Sequence, residues 1–199
     1  DELHENDAAL RLGKLFAGPG ISFSEPSEGK TSLKSMYRGL LKINRDLLEQ
    51  VNDTEDICLA TIQENICVEK DALLGGCRII PLSIKKEKIE HVENMVKGKD
   101  PMFKIKSFIN LRTALIVTGS EVYKGRIKDE FGPVVEKKVK HYGSGIFNKT
   151  IVTDELDEIK NAVLDAKKAG AELIVVTGEC QWIRMTKLPA PLKQPEQIL

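Results

Sequence analysis

TALIVTGSEVYKGRIKDEFGPVV, residues 113 to 135, is the stretch whose reading decides the fold. Ala114, Leu115, Ile116 and Val117 form a short apolar run. It is rich in branched residues and has no polar alternation, the pattern of a strand buried on both faces. The run stops at Thr118-Gly119-Ser120-Glu121, where glycine admits backbone angles that residues with a Cβ avoid. A polar segment leads to Asp129, and Pro133 stands where its fixed φ suits a first helical turn. Strand, small polar loop, then helix start is an arrangement by which α/β proteins turn backbone N–H groups toward an anion.

The same alternation continues downstream. Helix is expected from about residue 132 to 142, with Val134, Val135 and Val139 inward and Gly143 as the stop. A strand is expected at 146–152, then a helix capped by Asp154 and ended by Gly170, and a third strand at 173–176 leading to Thr177-Gly178. Short connections between alternating elements imply a parallel sheet with right-handed crossovers. Ligands bind such sheets at the carboxyl ends of the strands, so Thr118-Gly119 and Thr177-Gly178 are expected to face one crevice.

Upstream, residues 5–17 predict a helix stopped by Gly18-Pro19-Gly20, and 21–30 a loop. A second helix is expected over 32–51, where Leu33, Met36, Tyr37, Leu40, Leu41, Leu47 and Leu48 fall near a 3.6-residue period. Met36 and Tyr37 then read as core. Short β-branched strands are expected at 57–62, 66–69 and 77–84, with a turn at Gly75-Gly76, and a charged helix at 85–97. Asp100-Pro101 marks a boundary, after which MFKIKSF feeds the second domain.

Thirty acidic residues balance thirty basic ones over 199 residues, which gives no reason to propose nucleic acid or an anionic membrane as partner. No apolar run approaches the roughly 18–20 residues that span a bilayer, and no export signal is visible; a cytoplasmic location is expected. The chain starts at Asp1 rather than Met, as a fragment would. Cys58, Cys67, Cys77 and Cys180 are dispersed without a C-x-x-C pair and read as reduced thiols used as small apolar residues. His4, His91 and His141 are widely separated, and none has a nucleophile partner.

Several separated pieces, in order, resemble the molybdopterin-binding domain of the MoaB/Mog type. They are TGSEVYKGRIKDEFGP at 118–133, YGS at 142–144, IVTDELDEIKNAV at 151–163 and AELIVVTG at 171–178. The upstream stretches ENDAALRL, GISFSEPSEGK, DICLATI and GCRIIPLSI are similar to a less characterised group of molybdopterin-binding proteins. The resemblance implies a three-layer α/β/α domain with a mainly parallel sheet over 106–178. A smaller α+β region over 1–105 precedes it, and an irregular tail over 179–199 follows.

It also implies molybdopterin as ligand or substrate in molybdenum cofactor biosynthesis, with adenylyl- or molybdenum-transferase-like chemistry in intact relatives. Thr118, Gly119, Ser120, Glu121, Gly132, Pro133, Thr177 and Gly178 would bind it. The family places an acid at the Asp129 position to handle the phosphate end, through Mg²⁺. Taken alone, each residue has a second reading. The Thr118–Glu121 loop is also a plain strand-to-loop turn. Glu121 either meets pterin amides or caps loop N–H groups. Asp129 is also a helix cap favoured by the dipole, and Lys124 and Arg126 either attract an anion or are simply solvated.

Beyond Gly178 the likeness ends. The family continues with a second glycine and an acidic loop, whereas this chain reads ECQWIRMTKLPAPLKQPEQIL. Codons can be chosen so that a one-nucleotide shift reads GVSVDPDDEAPGAIKATGADI instead, a string that looks like the missing continuation. A frame-shifted, truncated domain is therefore expected, with an unpacked tail and uncovered apolar surface that promotes self-association into a homo-oligomer. Two other functional readings stand beside the first. One is a relative of nicotinamide-nucleotide amidohydrolases, which typically carry Asn where this chain has Asp129. The other is a non-catalytic binding module or inactive remnant.

Overall fold

A computed structural model describes residues 1–178; the expectations placed on the tail and on Cys180 lie outside the described residues. The chain divides into two compact units, Asp1–Phe108 and a second beginning at Ile109.

In the first unit, β1 (Glu2–His4) leads directly into α1 (Glu5–Phe16), capped where His4 Nδ1 accepts from the Asn6 N–H. Then follow β2 (Ile21–Phe23), β3 (Lys30–Ser35), β4 (Gly39–Ile43), α2 (Arg45–Asn52), β5 (Ile57–Thr61) and β6 (Cys67–Val68). β7 (Leu73–Ile79), β8 (Ser83–Lys85), α3 (Lys86–Val96) and β9 (Phe103–Lys106) complete it. The strands pair antiparallel in the orders β2-β3-β7-β5, β6-β4-β9 and β1-β8. Leu12 and Phe16 of α1 are buried with Leu33, Leu41, Leu74, Ile89 and Phe103 in one core. Arg11 clamps Glu93 through two hydrogen bonds of 2.8 and 2.6 Å, tying α1 to α3.

Five expectations are corrected here. The helix over 32–51 is two strands and a short helix. Lys30–Ser35 buries Thr31, Leu33 and Ser35 in alternation, a period of two that the spacing of the leucines masked. Asn44 Oδ1 accepts from the Leu47 N–H at 3.2 Å and starts α2 there. Met36 and Tyr37 lie in the connection and are exposed rather than core. Gly75-Gly76 is no turn but the middle of β7, because a Cβ on Gly75 would stand 2.2 Å from Ala60 O and one on Gly76 2.7 Å from Thr31 O. Glycine is what lets the neighbouring strands come this close. The strand expected over 77–84 ends at Ile79 and restarts at Ser83. Residues 103–106, read as feeding the second domain, pair with β4 in the first.

In the second unit, β10 (Arg112–Thr118) is the central strand, with Ala114–Val117 at most 2% exposed. α4 (Ser120–Tyr123), α5 (Phe131–His141), β11 (Gly145–Val152), α6 (Leu156–Lys168) and β12 (Leu173–Thr177) follow. β10 pairs parallel with both β11 and β12, giving the order β11-β10-β12. This is an α/β unit on a parallel sheet, as expected. The chain moves from β10 to one side and then crosses back to the other. With right-handed crossovers, that reversal puts α5 and α6 on opposite faces and makes the carboxyl end of β10 the topological switch point. Val135 and Val139 are half-buried under α5, whereas Val134, expected inward, is 52% exposed.

Among the described residues no helix is long and apolar enough to cross a membrane. Cys58, Cys67 and Cys77 carry free thiols, and burial pushes the Cys77 thiol up to about 12.

Candidate ligand-binding cleft

β10 ends at Thr118, and Val117 lies in register with Thr177, so the two T-G dipeptides stand at neighbouring strand ends. They touch: a Cβ on Gly178 would stand 2.0 Å from Thr118 Oγ1 and 2.4 Å from Thr118 O. Gly178 also has φ +153° and Gly119 φ +145°. At Gly178 glycine is therefore demanded by space as well as by backbone angle.

After Gly119, whose N–H donates to Val152 O at 3.1 Å, the chain makes the short helix α4 within the stretch expected as a polar loop. The Ser120 N–H donates to Asp154 Oδ2 at 2.8 Å. Asp154 was expected to cap α6; instead it reaches back from the end of β11 to hold the 118–121 loop. The start of α6 is served by Glu158, whose Oε2 accepts from Thr153 Oγ1 and the Thr153 N–H, lowering the Glu158 carboxyl below its ordinary value.

Around these strand ends lies a cleft of about 220 Å³, lined by Thr118–Val122, Ile127–Phe131, Asp154 and Gly178, with Val117 at its floor. Of the nine expected site residues, Thr118, Gly119, Ser120, Glu121, Asp129 and Gly178 share this lining. Gly132, Pro133 and Thr177 do not. Gly132 lies beneath Asp129, Pro133 is exposed on α5, and Thr177 Oγ1 is sealed from solvent without a hydrogen-bond partner among the described residues. Glu121 and Arg126 pair with each other at 3.2 Å, both largely exposed. A larger depression of about 720 Å³ lies beside Arg112, Phe147 and Lys149. It holds the amino-terminal parts of β10 and β11, away from the strand ends where open α/β sheets bind ligands.

Asp129 is the most constrained group of the cleft. Its side chain is 9% exposed. Oδ1 accepts from the Gly132 N–H at 2.8 Å, so the acid satisfies a first-turn N–H of α5 from the residue before its N-cap, Glu130. Oδ2 is sealed from solvent and forms an ion pair with Lys149 Nζ at 2.9 Å. Burial opposes ionisation, but the Gly132 N–H and the Lys149 ammonium outweigh it and leave the carboxyl below its ordinary value. The pairing with Asp129 raises Lys149 in turn. Gly132 makes the arrangement fit, because a Cβ there would stand 2.1 Å from Asp129 Oδ2 and 2.6 Å from Lys149 Nζ.

The resemblance implies Mg²⁺ at Asp129, and the donor set found here does not fit a resident ion. Both Asp129 oxygens are committed, one to an N–H and one to an ammonium. Among the described residues no three His, Cys, Asp or Glu side chains converge as ligands. Mg²⁺ wants an octahedron of hard oxygens, and an adjacent ammonium opposes it.

Sequence reasoning missed Lys149, Asp154 in its loop-holding role, and Phe131, a 61% exposed ring on the cleft wall. The signal for Asp154 was its place just after β11, whose Val152 pairs with Thr118.

A polar loop, a glycine pair and an acid gather at the switch point of a parallel sheet, the place where open α/β sheets bind ligands. Residues 114–178 match the family model described as a probable molybdopterin binding domain. The second unit is therefore similar to a molybdopterin-binding domain, consistent with the MoaB/Mog type, and the match supports a general role in molybdenum cofactor biosynthesis. No curated protein matches the chain.

Proposed function

We propose that the cleft at the carboxyl ends of β10 and β12 binds molybdopterin. The observation that carries this reading is the convergence of the Thr118–Glu121 loop, Gly178, Asp129 and the exposed Phe131 ring on one cleft. The loop offers the Ser120 hydroxyl and the Glu121 carboxylate to the polar edges of a pterin, and Phe131 offers an aromatic face to a planar ring. Asp154 holds the loop by accepting the Ser120 N–H. Asp129 is the acid that faces the phosphate end, as the resemblance implies for adenylyl- or molybdenum-transferase-like chemistry. Lys149 at its Oδ2 already counters the charge of this acid.

Thermal-shift titration of the full chain with molybdopterin, its adenylylated form and nicotinamide mononucleotide tests the reading. A ligand that binds only the folded state at about 100 times its Kd stabilises by about 2.7 kcal/mol, a readily measured rise in Tm. The expected result is a rise with the pterins. A rise with the nicotinamide nucleotide alone would move the cleft to the amidohydrolase-like reading, and no rise with any of the three would leave an inactive remnant.

A further inference from the structure

Lys149 stands in the middle of β11, opposite Leu115 of β10, and does not line the cleft. Its Nζ lies 2.9 Å from Asp129 Oδ2 and 3.6 Å from Glu136 Oε1. The ammonium thus approaches the acid from behind and sits between two carboxylates, one supplied by the turn before α5 and one by α5 itself. Two carboxylate oxygens converging on one cation are a partial ligand set for a hard divalent ion; in this chain a side chain fills the place. Gly132 keeps that place open to the ammonium, since its Cβ would collide with both Asp129 Oδ2 and Lys149 Nζ.

We infer that Lys149 is the built-in counter-ion and positioning residue of Asp129, occupying the place between Asp129 and Glu136 that a divalent cation would otherwise take. The role of Asp129 toward a ligand rests on the molybdopterin reading above; the competition between ammonium and metal does not. Two consequences follow. The native chain has no use for a divalent ion at Asp129. Deleting the ammonium leaves two facing carboxylates, which take up a metal to relieve their repulsion.

The test uses the full chain with Mn²⁺ alone, followed by electron paramagnetic resonance. Wild type and Asp129→Asn should bind Mn²⁺ alike. Lys149→Met should gain a site at least about ten-fold tighter than anything in wild type, the scale of one strong charge contact. Lys149→Arg, which keeps the cation, should not gain it, and the double variant Asp129→Asn/Lys149→Met should lose it. A purely structural lysine would produce no such gain.

Wild type binding Mn²⁺ in a way that Asp129→Asn abolishes would overturn the inference, and this comparison decides even if Lys149→Met does not fold. Folded Lys149→Met without the new site would overturn it too. Where molybdopterin binds wild type, its affinity in EDTA should match that in Mg²⁺; a ten-fold dependence on the metal would again overturn the inference. Failure of molybdopterin to bind under either condition would sink the proposed function and leave the Mn²⁺ result to stand for itself.

Discussion

Replacing Gly132 by Ala reads the geometry around Asp129 through stability alone. In a helix interior this change ordinarily stabilises by about 1 kcal/mol, because glycine has more backbone freedom to lose. Here the new Cβ would stand 2.1 Å from Asp129 Oδ2 and 2.6 Å from Lys149 Nζ. The carboxylate must swing away. It then gives up the 2.8 Å hydrogen bond from the Gly132 N–H, typically worth about 1 kcal/mol. It also gives up an ion pair whose lysine is 34% exposed, for which solvent screening leaves about 1 kcal/mol at most. After the alanine gain is set against these losses, a net destabilisation of about 1 kcal/mol remains, roughly a five-fold change in the folded-to-unfolded ratio. Native-state hydrogen exchange at the amides of Ala114–Val117, in the buried centre of the sheet, reports this unit directly. The same change made on an Asp129→Ala background should reverse sign and stabilise by up to about 1 kcal/mol. Equal effects in the two backgrounds, or a stabilised Gly132→Ala single variant, would refute the reasoning.

Asp129 also predicts a pH dependence. A carboxyl held below its ordinary value contributes stability that is fully present above its unfolded value of about 4 and is lost as pH falls through the lower native one. Urea midpoints of wild type should therefore fall more steeply below about pH 4 than those of Asp129→Asn; parallel profiles would deny Asp129 that contribution. Gly178→Ala places a Cβ 2.0 Å from Thr118 Oγ1 and should abolish the molybdopterin-induced rise in Tm while far-ultraviolet circular dichroism stays unchanged. An undiminished rise would remove Gly178 from the binding site. Asp154→Ala frees the Ser120 N–H and should weaken the same ligand about ten-fold, with Asp154→Asn, which keeps an acceptor, close to wild type. In the first unit, Leu12→Ala empties a fully buried position and should cost about 2–5 kcal/mol, measured by exchange at the Leu33 amide; a loss below 1 kcal/mol would mean that the core around α1 closes over the gap.

How much was legible in the sequence depended on how local the controlling physics is. TALIVTG could be read as a buried strand and a turn because burial on both faces requires an unbroken apolar run, and β10 occupies that place. The strand–helix alternation after it could be read for the same reason, down to the parallel pairing that sets Thr118 and Thr177 at neighbouring ends. The helix expected over 32–51 does not form as one element because its leucines fit two periods at once. Propensity does not choose between them; the antiparallel partners β7 and β9 do.

The site divides along the same line. Thr118, Gly119 and Asp129 were singled out by the resemblance of their segment to the family, while the residues themselves marked only a strand end and a helix start. Lys149 could not be picked out, since an isolated lysine in a strand looks solvated until the turn before α5 supplies Asp129 and α5 supplies Glu136. Nor could the role of Asp154, which depends on β11 lying beside β10. The need for glycine at 132 and 178 has the same origin. No local angle announces it at Gly132, and at Gly178 the closest neighbour is sixty residues away, at Thr118. Patterns with a period belong to the chain, because each residue's burial repeats with its own backbone. Contacts between distant side chains exist only once those backbones have packed.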